Sequence, residues 1–201
     1  MKVKLLSITP NAELLIESAG RTCYKSFYKY EAGAKPSYIR FIRMLLKSGH
    51  TSVLEHASAT FRIKGGSRSF THQIVRHRLL SISQQSQRYC REDGFEYITP
   101  PSIDTDEKKL VFAIAMNNAQ NSYKQLAELG LRKEDARFVL PNACESEIVL
   151  TGNFRQWMHV IEMRCDKHAQ WEIRAITGEI LNLLYKEAPT VFGDLKERFN
   201  S

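Results

Sequence analysis

The chain has 201 residues, 43% of them hydrophobic and 25% charged, with a formal net charge of +7. That length fits one domain with a core of its own, and the composition is that of an ordinary globular protein. No apolar run is long enough to cross a bilayer.

The N-terminus, Met1 to Leu6, carries two lysines but no long apolar stretch or small-residue cleavage site, so it reads as a first strand and not as a signal peptide. The four cysteines, Cys23, Cys90, Cys144 and Cys165, form no CxxC pair. This points to reduced thiols in the cytoplasm and away from a zinc site or a disulfide framework. The positive charge suits an anionic partner and leaves nucleic acid and small phosphorylated ligands both open.

In chain order, Val3 to Ile8 reads as a strand. Asn11 to Tyr24 has helical spacing, with Leu14, Leu15, Ile16 and Ala19 on one side. Residues 27–35 read as a loop. Pro36 starts a helix with Tyr38, Phe41, Ile42, Leu45 and Leu46 on its apolar face, and Gly49 stops it. Val53 to Lys64 alternates (Ala57, Ala59, Phe61, Ile63) as a strand does, and Gly65-Gly66 breaks it.

Ser67 to Leu80 reads as a helix with Phe70, Ile74 and Val75 inward. Ser81 to Gln87 is neither a good helix nor a good strand, as expected of a segment shaped by a ligand. Asp104 to Leu129 is a long helix closed by Gly130. Lys133 to Leu140 is a short one ending before Pro141. Ala143 to Thr151 alternates as a strand, Asn153 caps a helix running to Arg164, and His168 to Ala188 is the last long helix. The order predicts a mixed α/β (α+β) fold: a small, mostly antiparallel sheet flanked by long helices, in a single domain over residues 1–201.

The chemistry concentrates between Gln73 and Arg88. On a helix, Gln73, Arg76 and His77 share a face while Arg78 points elsewhere, so one segment could serve anions on two sides. Arginine suits this because its planar fork pairs bidentately with phosphate. Ser81, Ser83, Gln84, Gln85, Ser86 and Gln87 offer hydroxyls and amides, and Arg88 adds another fork. A lone Arg-His-Arg is also explained by a basic helix before a solvated loop. Arg76-His77-Arg78, seven residues, Ser86, one residue and Arg88-Tyr89 is a more specific pattern.

That pattern resembles the RHR-x7-S signature of the flavin-dependent thymidylate synthases. Three further segments match the same family in order: Gly49-His50 through Glu55-His56, Ala136-Arg137 through Leu140-Pro141, and Asn153 through Arg164 with His168 to Arg174. The resemblance implies reductive methylation of deoxyuridylate (dUMP) to thymidylate. Methylenetetrahydrofolate is the carbon donor, FAD the hydride carrier and NADPH the reductant, and no cysteine nucleophile is used.

It also implies site residues. Arg76, His77 and Arg78 meet FAD, and Ser52, Gln84, Asn153, Phe154, Arg155, His159 and His50 join the cofactor shell. The nucleotide falls to Gln73, Ile74, Val75, Arg76, Gln84, Gln85, Ser86, Gln87, Arg88, Arg137 and Arg164, with Ser86 and Arg88 on its phosphate. Arg164 is the residue that polarises the uracil ring, and a homotetramer with shared sites is implied. Many family members carry Asn and Glu where this chain has Ser83 and Gln84; Gln84 keeps hydrogen-bonding capacity without the carboxylate.

Cys144 and Ser86 are not read as nucleophiles, because no base stands beside either in sequence. The six histidines show no metal-ligand spacing, so no metal is expected. Trp157, Ile161 and Trp171 read as core or interface. A nucleic-acid-binding module finds no basic-aromatic tract or RNA-binding motif to support it, and no membrane contact is expected. A nucleotide-phosphate enzyme without flavin is the remaining alternative.

Overall fold

The structure, a computed structural model, describes residues 1–23, 25–27 and 37–199. Its helices are α1 (Ala12–Cys23), α2 (Ser37–Lys47), α3 (Arg68–Ile74), α4 (Asp106–Glu128), α5 (Lys133–Ala136), α6 (Phe154–Arg164), α7 (Trp171–Glu187) and α8 (Pro189–Phe199). The strands are β1 (Lys2–Ile8), β2 (Ser58–Ser67), β3 (Ser81–Gln84) and β4 (Glu145–Asn153), in one antiparallel sheet of order β1-β2-β4-β3. The expected fold class, a small sheet with long helices, is what the chain adopts. Tyr24, Pro36 and most of the expected 27–35 loop lie outside the described residues.

The chain divides into two compact units. One comprises Met1–Lys2, Ile63–Arg76 and Ser83–Ile148; the other comprises Val3–Arg62, His77–Ile82 and Val149–Ser201. In the first, Phe95, Met116 and Cys144 form a buried cluster bordered by Tyr97, Phe112 and Leu140. Thr105 caps α4 by accepting the Lys108 N–H, and Gly130, at φ +89°, closes it in the left-handed region that glycine tolerates.

In the second unit the core is built on Ile16, Ile42, Phe61, Phe154, Trp157, Ile176 and Phe192. Trp157 stands edge-on to Phe61 with centroids 5.1 Å apart and donates its indole N–H to the Ala59 carbonyl at 3.0 Å. Gly49, at φ +70°, ends α2: its N–H meets the Leu46 carbonyl and the His50 N–H meets that of Leu45. This is a Schellman closure.

Several expectations need correction. On α1 the inward side is Glu13, Ile16, Glu17, Gly20 and Arg21, whereas Leu14 and Leu15 are exposed. Charged residues can face inward because each is fully engaged. Glu17 takes Arg21 at 2.7 Å and the Ser37 hydroxyl at 2.8 Å. Glu13 accepts the backbone N–H groups of Thr190 and Val191 and the Thr190 hydroxyl, capping α8 from another helix.

Thr51–His56 is a 3₁₀ turn where a strand start was expected, and β2 then runs through Gly65-Gly66 to Ser67. Gly65 does not break the strand; it admits the backbone of Met1, which lies 2.8 Å from where a Cβ would stand. Leu140 is extended after a 3₁₀ turn, and α8, which starts at Pro189 as proline at a first helical position allows, follows the helix expected to be the last long one.

Candidate functional site

The expected helix from Ser67 to Leu80 ends at Ile74. Ser67 caps it by accepting the Phe70 N–H at 3.0 Å. Past Val75 the chain makes tight turns, with Arg76 N–H on the Gln73 carbonyl and Leu80 N–H on the His77 carbonyl. Gln73, Arg76 and His77 therefore do not share a helix face. Burial of His77 and Leu80 outweighs the helical propensity of the run. Ser81–Gln84, expected to be irregular, is strand β3. The segment also divides: Gln73 to Arg76 and Gln84 to Arg88 belong to the first unit, His77 and Arg78 to the second.

In the first unit, Gln84 donates its amide to the Thr71 hydroxyl at 3.0 Å and to the Ser146 hydroxyl at 3.1 Å. Its N–H groups are the donors, so a carboxylate there would need those hydroxyls turned towards it. Gln85 donates its backbone N–H to Glu147 and its amide to Glu92, a carboxyl pushed up by burial. The Ser86 hydroxyl accepts the Arg88 N–H at 3.3 Å, and the Ser86 carbonyl accepts the N–H groups of Tyr89 and Cys90. Gln87 is buried, its amide 3.8 Å from the Cys144 sulfur.

Arg88 directs Nε and Nη2 at one oxygen of Glu134, at 3.2 and 3.1 Å. Arg137, in the turn after α5, donates to the Glu134 carbonyl at 3.1 Å. Arg88, expected on the phosphate, and Arg137, expected on the nucleotide, thus both meet Glu134. Glu134 was not expected, although its place one turn before Arg137 was a usable signal. Ile74 is fully buried, so its side chain belongs to the core.

In the second unit, α6 carries the expected residues. The Asn153 side chain caps it by accepting the Gln156 N–H at 2.8 Å. Arg155 pairs with Glu55, and His159 is exposed one turn further on. Arg164, in the last turn, donates Nε–H to Nε2 of His77 at 2.9 Å. His77 is buried with its ring edge-on to His159, centroids 5.9 Å apart. Burial first, then Arg164 and His159, lower its pKa to about 4.

Ser52 and His50 are exposed at the start of the Thr51–His56 turn. The Phe154 ring is fully buried against Phe192, centroids 5.1 Å apart, and its N–H serves the Ala57 carbonyl. Its side chain is therefore core and not part of a cofactor shell.

The Cys144 thiol is buried and, chiefly by desolvation and then by Glu92, pushed up to about 12. It stays protonated near neutral pH, where a nucleophile would have to be a thiolate. Among the described residues no cluster of three or more His, Cys, Asp or Glu could hold a metal ion, and no helix is long and apolar enough to cross a membrane. A cavity of about 670 Å³ in the second unit is lined by Cys165, Lys167, Arg174, Glu179, Lys196 and Arg198; of the expected site residues it contains none.

The family model for thymidylate synthase complementing protein matches residues 4–190. A flavin-dependent thymidylate synthase of Geobacter sulfurreducens is 46% identical, with 96% of this chain and 86% of that protein covered. One of Clostridium tetani is 42% identical over 96% of this chain and 85% of that protein. The chain belongs to the flavin-dependent thymidylate synthase family.

A crystal structure of thymidylate synthase X from Helicobacter pylori, with FAD and dUMP, superposes with a TM-score of 0.82 at 22% identity, covering 97% of this chain and 99% of that one. It shares the fold. Within the flavin-dependent thymidylate synthase frame, the Arg-His-Arg signature of this chain has two exposed arginines flanking a buried histidine, so its three members meet different surroundings.

Proposed function

We propose that this chain is a flavin-dependent thymidylate synthase, moving the methylene of methylenetetrahydrofolate to C5 of dUMP and reducing it to a methyl group. The observation that carries the reading is 46% identity to a protein of that name along 96% of the chain, with the RHR-x7-S pattern intact.

FAD, when bound, carries the hydride that NADPH supplies. The donor chemistry of the second unit fits such a dinucleotide. Ser52, His50, Arg155 and His159 are exposed donors on a 3₁₀ turn and a capped helix, and Arg78 is an exposed guanidinium after His77, the donor types a diphosphate group requires. Asn153 belongs to the same assignment.

Ser86 and Arg88 take the nucleotide phosphate and Arg137 contacts the nucleotide, supported by the two arginines meeting at Glu134. Gln73, Val75, Gln84, Gln85 and Gln87 shape the nucleotide pocket. Arg164 stabilises negative charge on the uracil ring as C5 becomes electron-rich. No thiol attacks C6, in keeping with the protonated state of Cys144.

The active enzyme is a homotetramer with sites built from more than one subunit. Leu110, Val111 and Ile114 on α4, together with Phe138, leave apolar side chains exposed for such an assembly. Its compartment is the cytoplasm, which keeps thiols such as its four free cysteines reduced.

The test is direct. Purified protein should show a flavin absorbance band near one FAD per chain, and should convert dUMP to thymidylate only when methylenetetrahydrofolate and NADPH are both supplied. A colourless protein that takes up no added FAD overturns the reading.

A further inference from the structure

The contact between Arg164 and His77 constrains the chemistry of both. A guanidinium keeps its protons and can only donate. Since Arg164 Nε points at His77 Nε2 from 2.9 Å, that ring nitrogen must carry a lone pair, the ring proton must sit on Nδ1, and the imidazole is uncharged.

The surroundings favour that state. Arg164 and His159 face the ring from α6, and the neighbours Arg76 and Arg78 on its own segment are exposed. Burial further disfavours a charged ring. The backbone is pinned as well. The His77 carbonyl takes the Leu80 N–H at 3.0 Å, and Leu80 is seated over Gly152, where a Cβ would stand 2.6 Å from the leucine.

A carboxylate in this place would also hold the arginine, but it would cancel its field. A neutral ring orients the guanidinium and adds no opposing charge of its own. We propose that His77 is a positioning residue, whose Nε2 lone pair sets the plane in which Arg164 presents its guanidinium to the substrate ring. This rests on the reading of Arg164 given above and adds to the expected contact of His77 with the cofactor.

Nitrogen NMR of the histidine rings tests the contact without turnover. In the native protein His77 should carry its proton on Nδ1 and stay neutral below pH 5. Arg164→Met should move its titration upward, because a cation and a donor are removed. A proton on Nε2, or a midpoint indifferent to Arg164→Met, overturns the proposal.

Kinetics tests the consequence. Glutamine can place an acceptor where Nε2 stands and leucine cannot. With flavin content equal by absorbance, His77→Leu should lose ~10²-fold in kcat with KM for dUMP little changed, the scale of a misplaced catalytic group. His77→Gln should return to within about tenfold of native, a partial rescue of that loss.

Near-normal kcat in Arg164→Met removes the underlying reading and this proposal with it. Low kcat in Arg164→Met beside native kcat in His77→Leu removes the proposal alone. If the His77 variants shed flavin, the ring titrations of the native and Arg164→Met proteins decide.

Discussion

Two guanidinium groups in this chain are held in opposite ways. Arg88 meets Glu134 at the surface, with the two side chains 55% and 37% exposed. Arg164 meets His77, a residue only 5% exposed. The first partner is an anion in water, which another anion can replace at small cost. The second is a neutral ring away from water, which fixes geometry and brings no opposing charge of its own. A phosphate, bound equally before and during reaction, needs the first arrangement. A ring that gains charge only during reaction needs the second.

The largest effect that could break this contrast is at Arg164. Arg164→Ala should cost ~10²–10³ in kcat, the scale of losing a preorganised donor. Arg164→Lys should not restore it fully, because the planar fork and its Nε–H are gone. Steady-state kinetics with saturating dUMP would show either outcome, and a near-normal kcat would place Arg164 with Arg88.

Next comes pH. His77 has a pKa lowered from 6.5 to about 4. Between those values the unfolded chain binds the proton more readily than the folded one. Stability from this group is therefore complete above pH 6.5 and is lost as the pH falls to about 4. Roughly 1.4 kcal/mol per unit makes the loss on the order of 3 kcal/mol. Urea melts from pH 7 to 4.5 should fall more steeply for the native protein than for His77→Gln, which has nothing to titrate there. Parallel curves would contradict the buried neutral state.

Arg88→Ala should raise KM for dUMP, by about tenfold for one charge-assisted contact, and lower kcat less. A dominant loss in kcat would erase the distinction between the two arginines. The smallest effect belongs to Glu134→Gln. An exposed pair contributes about 0–1 kcal/mol, so thermal melting should barely move, and a large drop would show Glu134 to be structural.

The sequence disclosed elements whose cause is local. Asn153 before a helical run ending at Arg164 predicted both ends of α6, because cap and periodicity lie within a few residues of each other. The alternation through Ser146, Ile148 and Leu150 predicted β4 for the same reason. The site residues were assigned from the family signature and not from periodicity.

The misses have tertiary causes. Residues 75–80 look helical and are not, because His77 and Leu80 are buried by partners far along the chain. Of the apolar stripe assigned to α1, Ile16 is buried but Leu14 and Leu15 face out, because Glu13 and Glu17 face inward and find donors at Thr190 and Ser37. Pairings such as Arg164 with His77, 87 residues apart, leave no local trace.

The cap that Glu13 places on α8 bears on how the polypeptide is made. Glu13 is made 177 residues before Thr190, whose N–H, with that of Val191, it accepts. Until those residues appear, the carboxylate either stays hydrated or is buried unsatisfied, and the second is costly. Helix α1 cannot reach its final seat before those residues are made. The second unit must therefore complete its folding after translation has passed residue 191. A nascent chain stopped short of Thr190 should hold α1 loosely, open to proteases and chaperones.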